Sequence, residues 1–329
     1  MKRWRRAARV AQYALVLWAA ISLNFLLPHL APGDPVDVFT GDANALNAEE
    51  RARLRADYDL DGSLAEQYGR SWARLARGDL GTSVRYSRPV ASVLADRLPW
   101  TLALVGLATV IAFAIGVAAG ASAARRRGRR SDVVAVSGLM ALDAMPGFWI
   151  GMVLLAVFAV QLGWLPSFGA VPLDAAPPSL AWLSEVGRRL VLPVATLVLA
   201  TVGSTFLLAR AAMVSALEAP YVGLAEAAGL SPRRIVYRHA LRNALLPLFT
   251  HLTLTLGTLL SGAVVVETVF SYPGLGRVAF EAVQARDYAL LQGAFLLVTV
   301  TVIAANVVAD LAYPWLDPRV RRAPMVKPA

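Results

Sequence analysis

The chain has 329 residues, of which 57% are hydrophobic and 16% charged, and its mean hydropathy is +0.55; a water-soluble chain of this length does not need that much apolar content, so a membrane protein is predicted. The formal net charge of +10 is not read as a nucleic-acid footprint, because the basic residues are spread through short connections between apolar runs, where they set orientation in a bilayer. The absence of cysteine excludes disulfides, thiolate chemistry and a cysteine metal site.

Six runs with little or no charge follow one another: Val10–Leu27, Leu98–Ala124, Val133–Leu165, Leu190–Ala209, Ala244–Val266 and Tyr288–Ala309. Each supplies the roughly 20 residues a helix needs to cross a bilayer. The third is longer than one crossing, which predicts a tilted or re-entrant part. Lys2, Arg3, Arg5, Arg6 and Arg9 precede the first run, and Arg125, Arg126, Arg127, Arg129 and Arg130 separate the second from the third. Arg210, Arg233, Arg234, Arg238 and Arg242 flank the connection from the fourth to the fifth, and Arg319, Arg321, Arg322 and Lys327 follow the sixth. With six spans, all of these lie on one side, so both termini are predicted to be cytoplasmic. The basic N-terminus is read as an uncleaved span rather than a signal peptide, because the run is long, Pro28 and Pro32 follow it and five more runs come after.

A nearly charge-balanced segment, 31–97, follows the first run on the outer side. Its apolar residues Leu54, Tyr58, Leu60, Leu64, Tyr68, Trp72, Leu75 and Leu80 recur at roughly helical spacing, which predicts small surface helices. Pro99 and Trp100 are expected to open the second span at the interface. The second outer connection, 163–189, is rich in Trp and Pro. The third, 270–287, contains Tyr-Pro-Gly-Leu-Gly at 272–276, a turn, then a short amphipathic helix expected over 277–285. The two halves show no internal repeat, which argues against many secondary-transporter folds.

Between the fourth and fifth runs lies the polar stretch 220–243, which reads as two short helices joined by a corner. Tyr221, Leu224, Ala225 and Ala228 share one face at helical spacing. Gly229 stands where a helix C-terminus favours a left-handed residue. Ser231 is expected to N-cap the next helix, with Pro232 in its first turn. The result is a rigid helical knuckle on the cytoplasmic side, suited to a groove on a soluble partner.

Chemistry for an energy source is missing. A phosphate-cradling P-loop needs a Lys after its glycines, and the two lysines, Lys2 and Lys327, stand at the two ends of the chain. Neither His-Glu-x-x-His nor Gly-x-Ser-x-Gly occurs, and His29, His239 and His251 are far apart. No catalytic, cofactor or metal site is therefore assigned. His251 is expected to pack or to bond between helices.

Four blocks carry a family resemblance that covers about residues 10–322: Leu30-Ala-Pro-Gly-Asp-Pro35, Arg97-Leu-Pro-Trp-Thr-Leu102, the knuckle continuing through His239-Ala-Leu-Arg-Asn-Ala-Leu-Leu-Pro247, and Glu267-Thr-Val-Phe-Ser-Tyr-Pro-Gly-Leu-Gly-Arg277 with Arg286-Asp-Tyr288 after it. In this order the chain resembles the B-type transmembrane subunit of the dipeptide/oligopeptide/nickel family of ABC importer permeases, and the knuckle resembles their coupling loop. The wider superfamily opens that loop with Glu-Ala-Ala and a later Gly. The corresponding residues are Gly223, Leu224, Ala225 and Gly229, so Glu226-Ala-Ala228 is out of register, and Leu241 and Arg242 stand in place of a later Leu-Pro.

The resemblance implies an all-α integral membrane protein with six spans and the type I importer permease fold. It divides the chain into an N-terminal helix with an outer segment (1–97), a permease domain (98–313) and a cytoplasmic tail (314–329). It implies a transport subunit, not an enzyme, in the inner membrane. Its partners are a second homologous permease, two ATPase subunits that carry the ATP and magnesium, and an extracytoplasmic solute-binding protein. The coupling residues it picks out are Tyr221, Ala225, Gly229, Leu230, Ser231, Pro232 and Leu241. A passive channel or ion-coupled secondary carrier is the alternative. Asp143, three residues before Pro146, and Glu267, at the end of the fifth run, are candidates for the pathway or a gate. The simpler reading of Asp143 is that it satisfies backbone groups freed by a break at Pro146-Gly147 or pairs with a neighbouring helix; that of Glu267 is an ion pair with Arg277 or a helix-end contact, against a gate or receptor contact. Arg210 is read as a snorkelling anchor at the interface.

Overall fold

The apolar runs become helices in the computed structural model, which describes residues 2–30, 49, 61–170 and 179–316. Helix α1 (Lys2–Leu30) carries the first run, and α2 (Leu64–Ala76) follows in the outer segment. A capping box starts α2: the Ser63 hydroxyl accepts from the Glu66 amide, and the Glu66 carboxylate accepts from the Ser63 amide. Leu54, Tyr58 and Leu60, and most of the Leu30–Pro35 block, lie outside the described residues, as do Arg319, Arg321, Arg322 and Lys327.

A two-residue strand pair, β1 (Thr82–Ser83) and β2 (Arg88–Pro89), comes next, antiparallel with Ser83 opposite Arg88. It is a short ribbon in a fold that is otherwise mostly helical, as expected. Helix α3 (Val90–Arg125) starts well before Pro99, which lies inside it rather than at its start. Helices α4 (Arg130–Asp143) and α5 (Gly147–Leu154) share the third run, with a wide π-helical stretch, Leu155–Gln161, extending α5. The break between them is sharp, at 96°. Its cause is local: Met145 precedes Pro146, and the residue before a proline is driven out of the α region. Helix α6 (Leu180–Leu217) is started by the Ser179 hydroxyl, which accepts from the Trp182 amide. Helix α7 (Pro220–Ala227) and a single helical turn, Pro232–Arg234, form the polar corner. That turn runs through a π-helical stretch, Ile235–Ala240, into α8 (Leu241–Val269). The corner's second limb is therefore continuous with the next span, not a separate short helix. Helices α9 (Leu275–Gln284) and α10 (Tyr288–Leu316) complete the described chain.

Among the described residues, α3, α6 and Tyr288–Val308 of α10 are each long and apolar enough to cross a membrane alone. The bent pair α4–α5 and the stretch from Pro232 through α8 bring the count to five. The apolar part of α1, Val10–Leu26, is at the short end of the range for a crossing. Val110, Val134 and Val160 stand exposed on these helices, an arrangement that suits lipid or another membrane subunit better than water.

Two compact units are distinguished, Met1–Leu102 with Pro273–Ile303 and Ala103–Tyr272 with Ala304–Ala329. In the first, α1 meets α2 through Ser22 Oγ and Tyr68 Oη at 2.7 Å and through His29 Nε2 and Gln67 Oε1 at 3.0 Å. Its core joins Val90, Val93 and Leu94 of α3 to Leu275, Val278 and Ala282 of α9 and Leu290 and Ala294 of α10. Asp287 ties the strand pair to α10 and is 1% exposed. One carboxylate oxygen accepts from the Ser83 hydroxyl at 2.6 Å and the Arg85 amide at 3.1 Å; the other caps α10 by accepting from the Leu290 amide at 3.0 Å. This gives the Arg286-Asp-Tyr288 block a physical role. Glu281 accepts from Tyr86 Oη at 2.6 Å and pairs with Arg277 and Arg85. Burial pushes its carboxyl up, and those three partners outweigh burial and hold it below its ordinary value.

Asp287→Ala is expected to lower the thermal midpoint of the purified chain. The lost cap costs about 1 kcal/mol. Leaving the buried Ser83 hydroxyl without its acceptor adds about 1–3 kcal/mol. Asp287→Asn keeps an acceptor and should fall between; a midpoint for Asp287→Ala equal to wild type would remove this role.

In the second unit α6 is central, lying against α4, α5 and α8, and its inward face buries Leu192, Leu197, Val202, Phe206 and Met213. Helix α3 approaches it at two glycines one turn apart. A Cβ on Gly116 would stand 2.7 Å from Thr205 Cγ2, and one on Gly120 would stand 2.7 Å from the Phe206 carbonyl oxygen and 2.8 Å from the Arg210 nitrogen. Such backbone-to-backbone approach is how small residues hold helices together in lipid.

Candidate functional site

The corner is built from its two ends. Helix α6 stops at Glu218, and Ala219 and Pro220 restart the chain as α7, with Pro220 in the first turn. Tyr221 folds back, its hydroxyl donating to the Ala216 carbonyl at 2.8 Å, and Val222 is buried. Gly229 closes α7 at φ +73. Its amide donates to the Glu226 carbonyl at 2.9 Å and the Leu230 amide donates to the Ala225 carbonyl at 3.1 Å. These are the two bonds of a Schellman cap, so the left-handed glycine predicted from sequence is present. Ser231 stands at the N-cap with extended backbone, and Pro232 begins the turn, but the Ser231 hydroxyl makes no capping bond. Its carbonyl takes the Arg234 and Ile235 amides instead.

The stem is packed. Val236, Ala240 and Ala244 form a buried cluster with Ala121 and Ala124 of α3 and Met213 and Ala216 of α6, and Leu241 lies against it. Of the residues proposed for coupling, Tyr221, Ala225, Leu230 and Leu241 are half-buried, whereas Gly229, Ser231 and Pro232 are exposed. The outward face of α7 is Gly223, Leu224, Glu226, Ala227 and Ala228, with Leu224 79% exposed. Of the four residues that share one face, Leu224 and Ala228 are exposed while Tyr221 and Ala225 are half-buried, the Tyr221 hydroxyl being held against the end of α6. Beside the outward face an open groove of about 470 Å³ is lined by Ser231, Arg233, Arg234 and Tyr237.

Asp143 ends α4 at the 96° break, exposed, and makes no hydrogen bond or ion pair among the described residues. The backbone-satisfying reading is therefore not seen. Its Cβ lies close against α6, 2.9 Å from where a Cβ on Gly203 would stand. Glu267 is fully buried, which removes it from any surface a receptor could touch, and its carbonyl accepts from the Tyr272 amide at 2.7 Å. Arg277 pairs with Glu281 at 2.9 Å. His251 bonds between helices, its Nε2 3.3 Å from Thr205 Oγ1 on α6, as expected.

Arg210 is not a snorkelling anchor. Its Nε and Nη2 each donate to Asp132 at 2.7 Å, one to each carboxylate oxygen. Asp132 also accepts from the Gly128 amide at 3.0 Å, and Arg127 pairs with Glu218. Sequence reasoning passed over Asp132; the signal was a single acid two residues after the basic run at 125–130.

Comparison with known proteins agrees with this architecture. The family described as binding-protein-dependent transport system inner membrane component matches residues 116–322. A putative peptide transport system permease protein of Brucella abortus (strain 2308) is 36% identical over 313 residues, 95% of this chain and 97% of that one. The di/tripeptide transport system permease protein DppB of Pseudomonas aeruginosa is 39% identical over 318 residues, 91% of this chain and 93% of that one. The dipeptide transport system permease protein DppB of Escherichia coli (strain K12) is 35% identical over 316 residues, with the same coverage. The fold is shared with a chain of the inward-facing MetNI methionine ABC transporter, at a TM-score of 0.56 and 18% identity, covering 68% of this chain and 96% of that one. The chain belongs to the family of binding-protein-dependent transport system inner membrane components.

Proposed function

We propose that the chain is one of two transmembrane subunits of an ATP-driven importer of di- or oligopeptides in the bacterial inner membrane, with nickel chelates as the alternative cargo. The names of the relatives, permeases for dipeptides and di/tripeptides, support the cargo. Six spans with both termini cytoplasmic fit the one-sided basic connections. A similar but different permease completes the pathway, a solute-binding protein delivers cargo from outside, and two ATPase subunits hold the ATP and magnesium. Closure of the ATPases on nucleotide pushes the coupling loops and reorients the spans by alternating access.

The observation that carries the coupled reading is the corner at 220–234. Its α7 face is exposed and partly apolar, its turn is fixed by two backbone bonds, and its stem is buried among α3 and α6. A passive pore has no need of a rigid outward corner on a packed stem. The test is co-purification of the C-terminally tagged chain, expressed with its neighbouring genes and solubilised gently. A P-loop ATPase and a second permease are expected to come with it. Recovery of the chain alone, or only with copies of itself, overturns this reading in favour of a channel or ion-coupled carrier.

A further inference from the structure

We infer that the Asp132–Arg210 pair is the mechanical link that carries movement of the coupling corner into α4 and its break at 144–146. The inference rests on the importer reading above and goes on to name the residues through which the push travels. Neither residue touches cargo; both are positioning residues.

Three contacts fasten the end of α3, the turn after it and the start of α4 to the last turns of α6. The first is the close approach of Gly120 to Phe206, Ala209 and Arg210. The second is the bidentate pair, with the Asp132 side chain 3% exposed and that of Arg210 25%. The third is Arg127 with Glu218, the residue that ends α6 two positions before Pro220 opens α7. Displacement of α7 is thus handed directly to the end of α6. A planar fork on two carboxylate oxygens fixes orientation as well as distance, so α4 must follow α6 as a rigid body. At the far end of α4 stands Asp143, and there the chain turns through 96° into α5. Leu139 and Asp143 also lie close against Gly203 of α6, so α4 follows α6 along its length and movement concentrates at the break that comes after Asp143.

A purely stabilising role is the weaker account of so enclosed a pair. Replacing a buried ion pair by apolar residues of similar size is often neutral for stability or better, so what the fork supplies is a fixed geometry. That distinction makes the inference testable. The complex of both permeases, the ATPases and the binding protein is reconstituted in vesicles, and import of a radiolabelled dipeptide is measured per ATP hydrolysed. The double variant Asp132→Leu with Arg210→Met removes both charges. It should assemble and hydrolyse ATP while importing about fivefold less, or worse, per ATP, the scale of a modest coupling free energy. Arg210→Lys keeps the charge but not the fork and should also lose import per ATP. An import-to-ATP ratio unchanged in both variants overturns the link while leaving the importer reading intact. Absence of ATP-driven import by the wild-type complex overturns that reading, and the link with it.

Discussion

Gly120→Ala is expected to lower the thermal midpoint of the purified chain measurably, and Gly120→Leu to leave little folded protein. A Cβ at this position would stand 2.7 Å from the Phe206 carbonyl oxygen, 2.7 Å from Ala209 Cβ and 2.8 Å from the Arg210 nitrogen. Two of these three atoms are backbone, so no change of rotamer relieves the clash and α3 must move off α6. Overpacking of this kind typically costs about 1–3 kcal/mol. The damage is wider than one contact. In lipid there is no hydrophobic force between helices to hold a loosened interface, so close approach at small residues carries the association. The same interface aligns Arg210 with Asp132 and seats Ala121 and Ala124 against the stem of the corner. Gly138→Ala on α4 is the control. Nothing lies within 4 Å of a Cβ there, so it should change stability by no more than about 0.5 kcal/mol. The measurement is thermal unfolding in detergent with size-exclusion recovery. Equal midpoints for Gly120→Ala and Gly138→Ala would mean that α3 and α6 are not held by this approach.

Features set by local chemistry were legible in the sequence. Gly229 followed by Ser231 and Pro232 predicted the corner, and a left-handed residue at φ +73 is there. Pro146 predicted a break in an overlong apolar run, and α4 and α5 meet at 96°. Helical spacing from Leu64 to Leu75 marked α2. Features set by distant partners were not legible. Arg210 at the end of an apolar run looks like an interface anchor, and only the fold brings Asp132, 78 residues away, onto it. The strand pair at 82–89 is too short to show a two-residue period. Which residues of α7 point outward was not legible, because eight residues are barely two turns and the bond from Tyr221 to Ala216 holds one end of the helix against α6. The Gly116–Gly120 spacing was readable in principle, as small residues four apart in an apolar helix, but its partner on α6 was not.

The second large effect is expected at Gly229, and it separates folding from coupling. The residue is exposed, and nothing lies within 4 Å of a Cβ placed on it, so substitution there meets no clash and costs only backbone energy. At φ +73 an ordinary L-residue pays about 1–2 kcal/mol, and a β-branched one more. That corresponds to a roughly five- to thirtyfold drop in the population of the corner. If the backbone relaxes instead, the bonds from Gly229 to Glu226 and from Leu230 to Ala225 are lost, and Ser231 and Pro232 no longer leave α7 in the same direction. The stem remains, because Val236, Ala240 and Ala244 are buried without reference to residue 229. ATP-driven dipeptide import should therefore fall in the order Gly229→Asn, Gly229→Ala, Gly229→Val, since asparagine tolerates the left-handed region best. The thermal midpoint should move far less than in the Gly120 series. Wild-type import by Gly229→Val would show that the ATPase does not read the fixed corner, and would return attention to the groove at Ser231, Arg233, Arg234 and Tyr237. Import lost in proportion to the amount of folded chain would make Gly229 a folding residue and nothing more.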